Sequence, residues 1–157
     1  MPSAAPGWSL RAAVAADLEV LADLRAVVLR ADLERLGRYD QDRVRQRLRN
    51  SFSPGHTSII LTGGELAGSI TLRPATGGRQ LLEHFYLAPH RQGQGLGSAV
   101  LESVLKQTDA RNQTVGLNVL AGSPARRLYE RHGFVVEAED PIDVFMVRPP
   151  LRHGGRR

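Results

Sequence analysis

The sequence predicts a single domain of mixed α/β class, in which the elements follow in the order β-α-α-β-β-β-α-β-α-β-β. The 157 residues suffice for one domain, because domains typically contain roughly 100–200 residues. The composition, with 41% hydrophobic and 24% charged residues, is ordinary for a globular protein. Apolar residues at helical spacing lie between two strand-like segments, which predicts a crossover helix between two adjacent strands. We assign residues 1–149 to the domain and residues 150–157 to a basic flexible tail.

The first half of the chain predicts one strand, two helices and a β-hairpin. Apolar residues at helical spacing follow Asp17, and a thinner apolar stripe follows Asp40 among many arginines. Gly63 and Gly64 lie between two β-rich segments, which is typical of a tight hairpin turn. The predicted elements are a strand at 8–12, helices at about 17–30 and from Asp40 onwards, and strands at 57–62 and 65–72.

The second half predicts four strands and two helices. A glycine cluster precedes a helical apolar pattern that continues to about Lys106. A later helix begins near Pro124, which suits a first helical turn, and ends at Gly133. The predicted strands lie at 80–87, 114–120, 134–136 and 144–147.

The composition excludes several classes of protein. The chain has no cysteine, which rules out disulfides, thiolate zinc sites and cysteine nucleophiles. Its histidines lack the spacing of metal ligands, so no metal is expected. Residues 1–8 lack the pattern of a secretory signal, and no apolar run approaches the roughly 18 residues of a membrane span. These observations predict a cytoplasmic protein with no membrane partner.

The positive charge of the chain requires a nucleic-acid partner to be considered. The net charge is +5 and the sequence pI about 10.6, values that occur in nucleic-acid binders. The charge is spread over the chain, however, and Lys106 is the only lysine. No basic stripe with interleaved aromatic residues is present. These features argue against nucleic acid and favour a solvated basic face or an anionic ligand.

The most informative segment runs from a strand into a glycine-rich turn and then into a helix. Gly93, Gly95 and Gly97 alternate in this turn. The first N–H groups of a helix have no intrahelical partner, and the helix dipole adds positive charge there, so such a turn suits a phosphate or pyrophosphate. The spacing fits neither a P-loop nor the dinucleotide fingerprint. A glycine turn without a ligand remains the alternative.

Two sequence blocks resemble the GNAT superfamily of N-acetyltransferases. Residues 92–97, with the sequence QGQGLG, match its Gln/Arg-x-x-Gly-x-Gly/Ala signature. Residues 117–119 and 123–134 resemble the strand and the Asn-x-x-Ala-x-x-Leu-Tyr-x-x-x-Gly-Phe segment of that family. Ser123 stands where many members have Asn, which leaves helix capping intact but puts a cofactor contact of that side chain in doubt.

The resemblance implies a fold and a cofactor. The fold is a mixed, mostly antiparallel twisted sheet flanked by helices, with a splayed central pair formed by strands 80–87 and 114–120. Acetyl-CoA is the implied acetyl donor, with its pyrophosphate on the glycine turn and its pantetheine arm along the first of these strands. The implied cofactor-binding residues are Phe85, Tyr86, Leu87, Arg91, Gln92, Gly93, Gln94, Gly95, Leu96, Gly97, Ser98, Asn118, Ser123 and Tyr129.

The attacking amine needs a general base, and the resemblance implies a carboxylate on strand 80–87. Glu83 is the candidate. Strand alternation predicts that Glu83 shares a face with Phe85 and Leu87, while His84 points the other way and ranks lower as a base. A carboxylate paired with one of the many arginines is the alternative for Glu83.

The departing thiolate needs a proton, and Tyr129 matches the tyrosine that acts as general acid in the family. A helix tyrosine that merely packs against Phe134 is the alternative. A backbone N–H near Leu87 would stabilise the oxyanion that forms during attack.

The acceptor is a small-molecule amine by this interpretation, and its identity stays open. The segment at about 25–56, which contributes to the acceptor site in the family, is rich in arginine. A basic rim would suit a carboxylated amine or an acidic protein end and would repel polycations. The alternatives are a protein N-terminal or lysine acetyltransferase and a non-catalytic acyl-CoA-binding module. The resemblance also makes a homodimer an expectation.

Overall fold

The computed structural model describes residues 7–151 and shows the predicted order of elements. Residues 152–157, most of the expected flexible tail, lie outside the described part. None of the helices within residues 7–151 combines the length and the apolar content that a membrane crossing requires. The elements are β1 (Trp8–Ala12), α1 (Leu18–Arg35), α2 (Gln41–Ser51), β2 (Thr57–Thr62), β3 (Glu65–Pro74), β4 (Gln80–Leu87), α3 (Leu96–Ala110), β5 (Val115–Leu120), α4 (Ala125–Arg131), β6 (Val135–Glu139) and β7 (Asp143–Arg148).

The strands form one sheet in the order β1-β2-β3-β4-β5-β7-β6. All neighbours are antiparallel except β4 and β5, which are parallel and joined by the crossover helix α3. The predicted mixed, mostly antiparallel sheet is therefore confirmed. The β2–β3 hairpin turns at Gly63 and Gly64, both of which have positive φ, a backbone conformation that glycine adopts without steric cost.

The central pair of strands separates partway along its length. β4 and β5 pair only at Gln80–Val115, Leu81–Gly116 and Leu82–Leu117. Beyond this point β4 stays paired with β3, and β5 stays paired with β7. The splay predicted from the family resemblance is thus present. It leaves the β5-facing edge of residues 83–87 open to a ligand.

Two apolar clusters bury the two faces of the sheet. Neighbouring residues of β2 belong to different clusters. Ile59 packs with α1 and α2, while Ile60 packs with α3 and α4, as strand alternation requires. Leu21 and Leu101 are both 1% exposed or less, one in each cluster. Burying a leucine of this kind stabilises the fold by about 1.5–3 kcal/mol. The helices therefore flank the sheet on both faces.

Two helices are longer than the apolar pattern predicts. α1 continues past residue 30 to Arg35, and α3 continues past Lys106 to Ala110. The last turns of α1 carry the ion pairs Arg30–Glu34 and Arg35–Asp32. The apolar periodicity of α1 stops where the helix meets water, whereas its backbone hydrogen bonds and side-chain ion pairs continue. At the end of α3 the buried residues are polar, Thr108 and Asp109, so the apolar pattern ends before the helix does.

Candidate active site

A β-bulge in β4 shapes the centre of the candidate site. Ser69 of β3 lies opposite Tyr86 and Thr71 lies opposite Glu83, so β4 holds one extra residue between these pairs. His84 has a φ of +47°, in the left-handed region that residues other than glycine rarely occupy. The bulge lies where β4 leaves β5, and bulges commonly re-aim side chains in this way.

The bulge makes the predicted alternation of β4 wrong. Leu82, Phe85 and Leu87 all pack with α3 and α4, whereas Tyr86 packs with α1 and α2. Glu83 lies on the α1–α2 face, where its side chain meets Arg73. Glu83 therefore does not share a face with Phe85 and Leu87, because the extra residue shifts the period by one. It shares the α1–α2 side of the sheet with His84.

Glu83 forms an ion pair with Arg73. The distance between Arg73 Nε and Glu83 Oε2 is 2.5 Å, and the Glu83 side chain is 20% exposed. The hydrogen bond from the guanidinium raises the pKa of Arg73. The arginine partner considered as an alternative for Glu83 thus exists, and the carboxylate still lines the cleft described below.

His84 lies in a directed chain of hydrogen bonds. Arg25 Nε donates a hydrogen bond to the Tyr86 hydroxyl at 2.9 Å. The same hydroxyl lies 3.2 Å from His84 Nδ1. The other ring nitrogen, His84 Nε2, lies 2.7 Å from Ser51 Oγ. Ser51 Oγ in turn donates to the carbonyl of Arg47 at 2.8 Å. Because an arginine only donates, the Tyr86 proton is directed to Nδ1, and the Nε2–H of a neutral imidazole donates to Ser51. Burial lowers the pKa of His84, which favours this neutral form.

The glycine turn before α3 has the geometry of an anion cradle. Gly93 and Gly95 have φ values of +74° and +82°, and their Cα atoms face open space. Within residues 7–151, no backbone N–H group of residues 93–98 donates to another protein group, and the first helical bond is Ala99 N–H to Gly95 O at 3.1 Å. This run of free donors at a helix N-terminus suits a phosphate or pyrophosphate.

Neighbouring contacts fasten this turn to the sheet and to α4. Gln92 Nε2 donates to the carbonyl of Leu87 at 2.9 Å, and Gln94 Nε2 donates to the carbonyl of His90 at 3.0 Å. Ser98 Oγ lies 2.9 Å from His132 Nε2. The turn is therefore held by its own side chains, which leaves its backbone donors to a ligand.

Three residues in and beside the glycine turn have surroundings that the spacing alone does not define. A Cβ atom at Gly97 would lie 3.4 Å from Leu87 Cδ1, so this glycine permits close packing of α3 on β4. Arg91 lies 3.9 Å from Glu65 and its buried Nε has no partner within the described chain. Leu96 is a buried core residue whose contribution to the cradle is its backbone.

Tyr129 lies on α4 at the opposite side of the splay. Its side chain is buried between Phe85 and Phe134, with ring centroids 6.5 Å and 5.7 Å away. No group of residues 7–151 hydrogen-bonds to its hydroxyl, and the residue lines the cleft. Burial raises the pKa of Tyr129, so the hydroxyl keeps its proton as a donor. Tyr129 therefore both packs against Phe134 and keeps a hydroxyl that is free to donate a proton.

Asn118 and Ser123 complete the set of predicted residues. Asn118 is exposed on the part of β5 that has left β4. Ser123 Oγ accepts from the backbone N–H of Ala125 at 3.2 Å, so the hydroxyl caps the start of α4, as expected for the residue that replaces Asn.

One cleft of about 1670 Å³ connects these features. It runs from Gln92, Gly97 and the start of α4, through the splay between β4 and β5, to the wall formed by α1 and α2. The other predicted residues of the glycine turn do not line it: Arg91, Gly93, Gln94, Gly95, Leu96 and Ser98. Typical small-molecule pockets have volumes of roughly 300–1000 Å³. The cleft therefore has room for a large ligand at one end and a second, smaller ligand at the other.

Sequence reasoning named Tyr86 as a cofactor-binding residue and His84 as a lower-ranked base, but it missed Arg25 and the hydrogen-bonded group that these three residues form. The left-handed backbone of His84 leaves no mark in the residue pattern. Arg25 does leave one, because this charged residue stands four positions after Leu21 and three before Val28, within the apolar stripe of α1. A charged residue on the buried face of a helix indicates a buried partner, here the Tyr86 hydroxyl and the carbonyl of Val44.

The splayed sheet and the anion cradle together define an acyl-CoA-dependent acyltransferase architecture. Residues 53–136 match the family model described as an acetyltransferase (GNAT) domain. The chain therefore belongs to the GNAT family and is an acetyl-CoA-dependent acetyltransferase. No curated protein matches the chain in sequence.

Solved structures agree with this fold. The chain is similar to the PaiA N-acetyltransferase of Thermoplasma acidophilum in complex with coenzyme A, with a TM-score of 0.73, 19% identity, and coverage of 90% of this chain and 98% of that one. It is similar to the ribosomal-protein-S18-alanine N-acetyltransferase of Escherichia coli, with a TM-score of 0.69, 18% identity, and coverage of 96% and 99%. A third is a Salmonella typhimurium acetyltransferase that modifies an N-terminal serine of a 50S ribosomal protein, with a TM-score of 0.65, 18% identity, and coverage of 92% and 96%.

Proposed function

We propose that the protein transfers the acetyl group of acetyl-CoA to a primary amine of a small molecule, by direct attack within a ternary complex. The observation that carries this proposal is the run of free N–H donors at residues 93–98, next to the cleft that Gly97 lines and that includes the splay between β4 and β5. The donors suit the pyrophosphate of coenzyme A, and the open edge of β4 suits its pantetheine arm. The similar PaiA structure, solved with coenzyme A, supports the same use of this architecture.

The two walls of the cleft supply the groups that acetyl transfer needs. Glu83, on the α1–α2 side, would take the proton that the amine loses as it attacks the thioester carbon. Tyr129, on the α4 side, would give its proton to the sulfur as the carbon–sulfur bond breaks. A backbone N–H near Leu87 would stabilise the oxyanion between these steps. The free Tyr129 hydroxyl supports its role as acid.

His84 is a second candidate for the base. The bulge brings it to the same side of β4 as Glu83, which removes the reason to rank it lower. Its Nδ1 already accepts from Tyr86, however, so His84 would take a proton only if Tyr86 relayed it. Glu83 needs no relay, and we therefore keep it as the proposed base.

A substitution in the cradle tests the cofactor assignment. Gly95→Asp adds bulk and negative charge among the free donors, and we expect it to abolish binding of acetyl-CoA and coenzyme A in a thermal-shift assay. For the wild type, ligand at a hundred times its dissociation constant stabilises by about 2.7 kcal/mol. Gly64→Asp is the matched control, because Gly64 has nearly the same φ, +81°, and lies in the β2–β3 turn.

Both variants carry the same backbone strain, so only the location of the charge differs between them. Loss of acetyl-CoA binding in Gly95→Asp alone supports the cradle. Equal binding by the two variants would show that acetyl-CoA lies elsewhere. Binding of acetyl-CoA without release of coenzyme A for any amine or peptide would favour the alternative of a non-catalytic acyl-CoA-binding module.

A further inference from the structure

Arginines on the α1–α2 side of the protein divide into two groups according to the surface they face. Outside the cleft, each has a carboxylate partner: Arg30 with Glu34, Arg35 with Asp32, Arg45 with Asp23 and Arg49 with Glu19. The cleft-lining group consists of Arg25, Arg38, Arg43 and Arg47. Within residues 7–151, none of these four has a carboxylate oxygen within 4.0 Å.

The nearby acids do not neutralise the cleft-lining arginines. Asp32 pairs with Arg35, and Asp40 accepts from backbone N–H groups at the start of α2. Glu83 of β4 also lines the cleft and pairs with Arg73. The remaining acids that line the cleft lie across it, on β6, β7 and the turn between them, where Glu137 pairs with Arg79 and Asp140 accepts from two backbone N–H groups. The cleft therefore has a basic wall on α1–α2 and an acidic wall opposite.

Two members of the cleft-lining group are placed to act together. Arg43 and Arg47 lie one turn apart on α2, and both are exposed toward the cleft, while Val44 and Leu48 of the same helix are buried. Arginines four residues apart present their side chains on one helix face. Arg25, which is half-buried, adds its charge deeper in the cleft, where it bonds to the Tyr86 hydroxyl.

We infer that the acceptor amine carries an anionic group, a carboxylate or a phosphate, which Arg43 and Arg47 bind at the α1–α2 wall. This inference rests on the proposed function and names its substrate class. Guanidinium groups match the oxygens of carboxylates and phosphates with paired hydrogen bonds. The anion would stay at the basic wall, and the amine would extend along the cleft toward Glu83 and the splay.

The cleft suits a small molecule better than a protein chain. Arg35 at the end of α1 lies against the loop before α4, since a Cβ atom at Gly122 would be 2.7 Å from Arg35 Nη1. The first helix and the β5–α4 loop therefore touch and bound the cleft on that side. An acidic peptide would need an open groove there.

Matched amines test the charge of the acceptor. β-Alanine with β-alaninamide, and phosphoethanolamine with ethanolamine, each differ by the only anionic group of the pair, and putrescine supplies a dication. Acetylation is followed as release of coenzyme A, and binding is measured by calorimetry on protein saturated with coenzyme A. We expect the anionic member of at least one pair to bind and react at least about tenfold better than its neutral partner, a difference of about 1.4 kcal/mol. The two pairs separate a carboxylate from a phosphate site.

A double variant locates the anion. Arg43→Gln with Arg47→Gln should raise KM and Kd for the anionic amine at least about tenfold, as expected for the loss of a charged hydrogen-bond donor, and leave the values for the neutral partner unchanged. Arg45→Gln with Arg49→Gln is the control, because it removes the same charge from the same helix outside the cleft. Equal effects of the two double variants would overturn the inference.

The remaining outcomes also decide the question. Preference for neutral amines or putrescine, or for an acidic peptide over every small amine, would overturn the anionic small acceptor and leave acetyl transfer intact. Failure of every amine to bind to the coenzyme A complex would overturn it as well. Failure of coenzyme A itself to bind would instead contradict the proposed function.

Discussion

His84 shows how a single residue changes the meaning of the strand that contains it. Its left-handed backbone marks a bulge that reverses the alternation of β4, so that Glu83 and Tyr86 face α1 and α2 while Phe85 and Leu87 face α3 and α4. Strain of this kind persists only where the surroundings hold it. The hydrogen bonds of His84 to Ser51 and Tyr86 supply that restraint.

The proposed acid and base can be tested at the residue scale. Glu83→Gln and Tyr129→Phe should each lower kcat by about 10²–10⁴, because each removes one proton-transfer group. Both should leave the dissociation constant of coenzyme A nearly unchanged, since neither residue belongs to the glycine turn. Steady-state kinetics and calorimetry measure the two quantities.

Tyr39→Phe serves as a control for the tyrosine, because Tyr39 lines the same cleft on the α1–α2 side. Unchanged kcat in Tyr129→Phe would reduce Tyr129 to the packing role against Phe134. Unchanged kcat in Glu83→Gln, with a large loss in His84→Gln, would transfer the base to His84.

At the scale of secondary-structure elements, a buried ion pair fastens the second half of the fold. Arg148 of β7 bonds to both carboxylate oxygens of Asp109 in α3, at 2.8 Å and 3.0 Å, and to the carbonyl of His132 after α4 at 2.7 Å. The two side chains are only 4% and 5% exposed. The pair therefore joins α3, the end of α4 and β7.

Breaking this pair should destabilise the whole domain. Asp109→Asn leaves a buried guanidinium without its counter-charge, which costs about 3–5 kcal/mol of the free energy of unfolding. Urea denaturation monitored by circular dichroism measures the loss. Glu137→Gln, which removes the partner of Arg79 from an exposed pair, should change the urea midpoint little. Similar midpoints for the two variants would show that burial does not increase the contribution of the Asp109–Arg148 pair to the free energy of unfolding.

At the scale of the whole molecule, two histidines link stability to pH. Burial is the main cause that lowers the pKa of both His84 and His132. Between the ordinary histidine pKa of about 6.5 and these lowered values, the unfolded chain binds more protons than the folded one. The free energy of unfolding therefore falls as the pH falls through this window.

The slope of stability against pH tests this linkage. The urea midpoint of the wild type should decrease from about pH 7.5 to about pH 5.5, and His84→Gln should show a shallower decrease whatever its absolute stability. Acids with lowered pKa values, such as Asp17 and Asp140, lose their contribution only at more acidic pH. An identical slope in His84→Gln would show that His84 takes no part in the linkage.

The residue pattern was sufficient to predict the order of the elements, the hairpin at Gly63 and Gly64, and the strand–turn–helix unit around Gly95. These features depend on local chemistry: apolar periodicity, turn residues and free N–H groups at a helix start. The lengths of α1 and α3 were underestimated, because the last turn of α1 is polar and solvated and the residues that the last turn of α3 buries, Thr108 and Asp109, are polar.

Only the tertiary structure decided which side chains meet in the cleft. The bulge at His84 arises from pairing with β3, the partner of Arg25 comes from β4, and the unpaired state of Arg43 and Arg47 depends on where α2 packs. Each depends on contacts between residues far apart in the chain. The sequence by itself determined the family and the anion cradle, because both reside in contiguous segments. The basic wall of the cleft was decided by packing. Its arginines cannot be told from the other arginines of α1 and α2 in the sequence, because the two groups differ only in the surface they face.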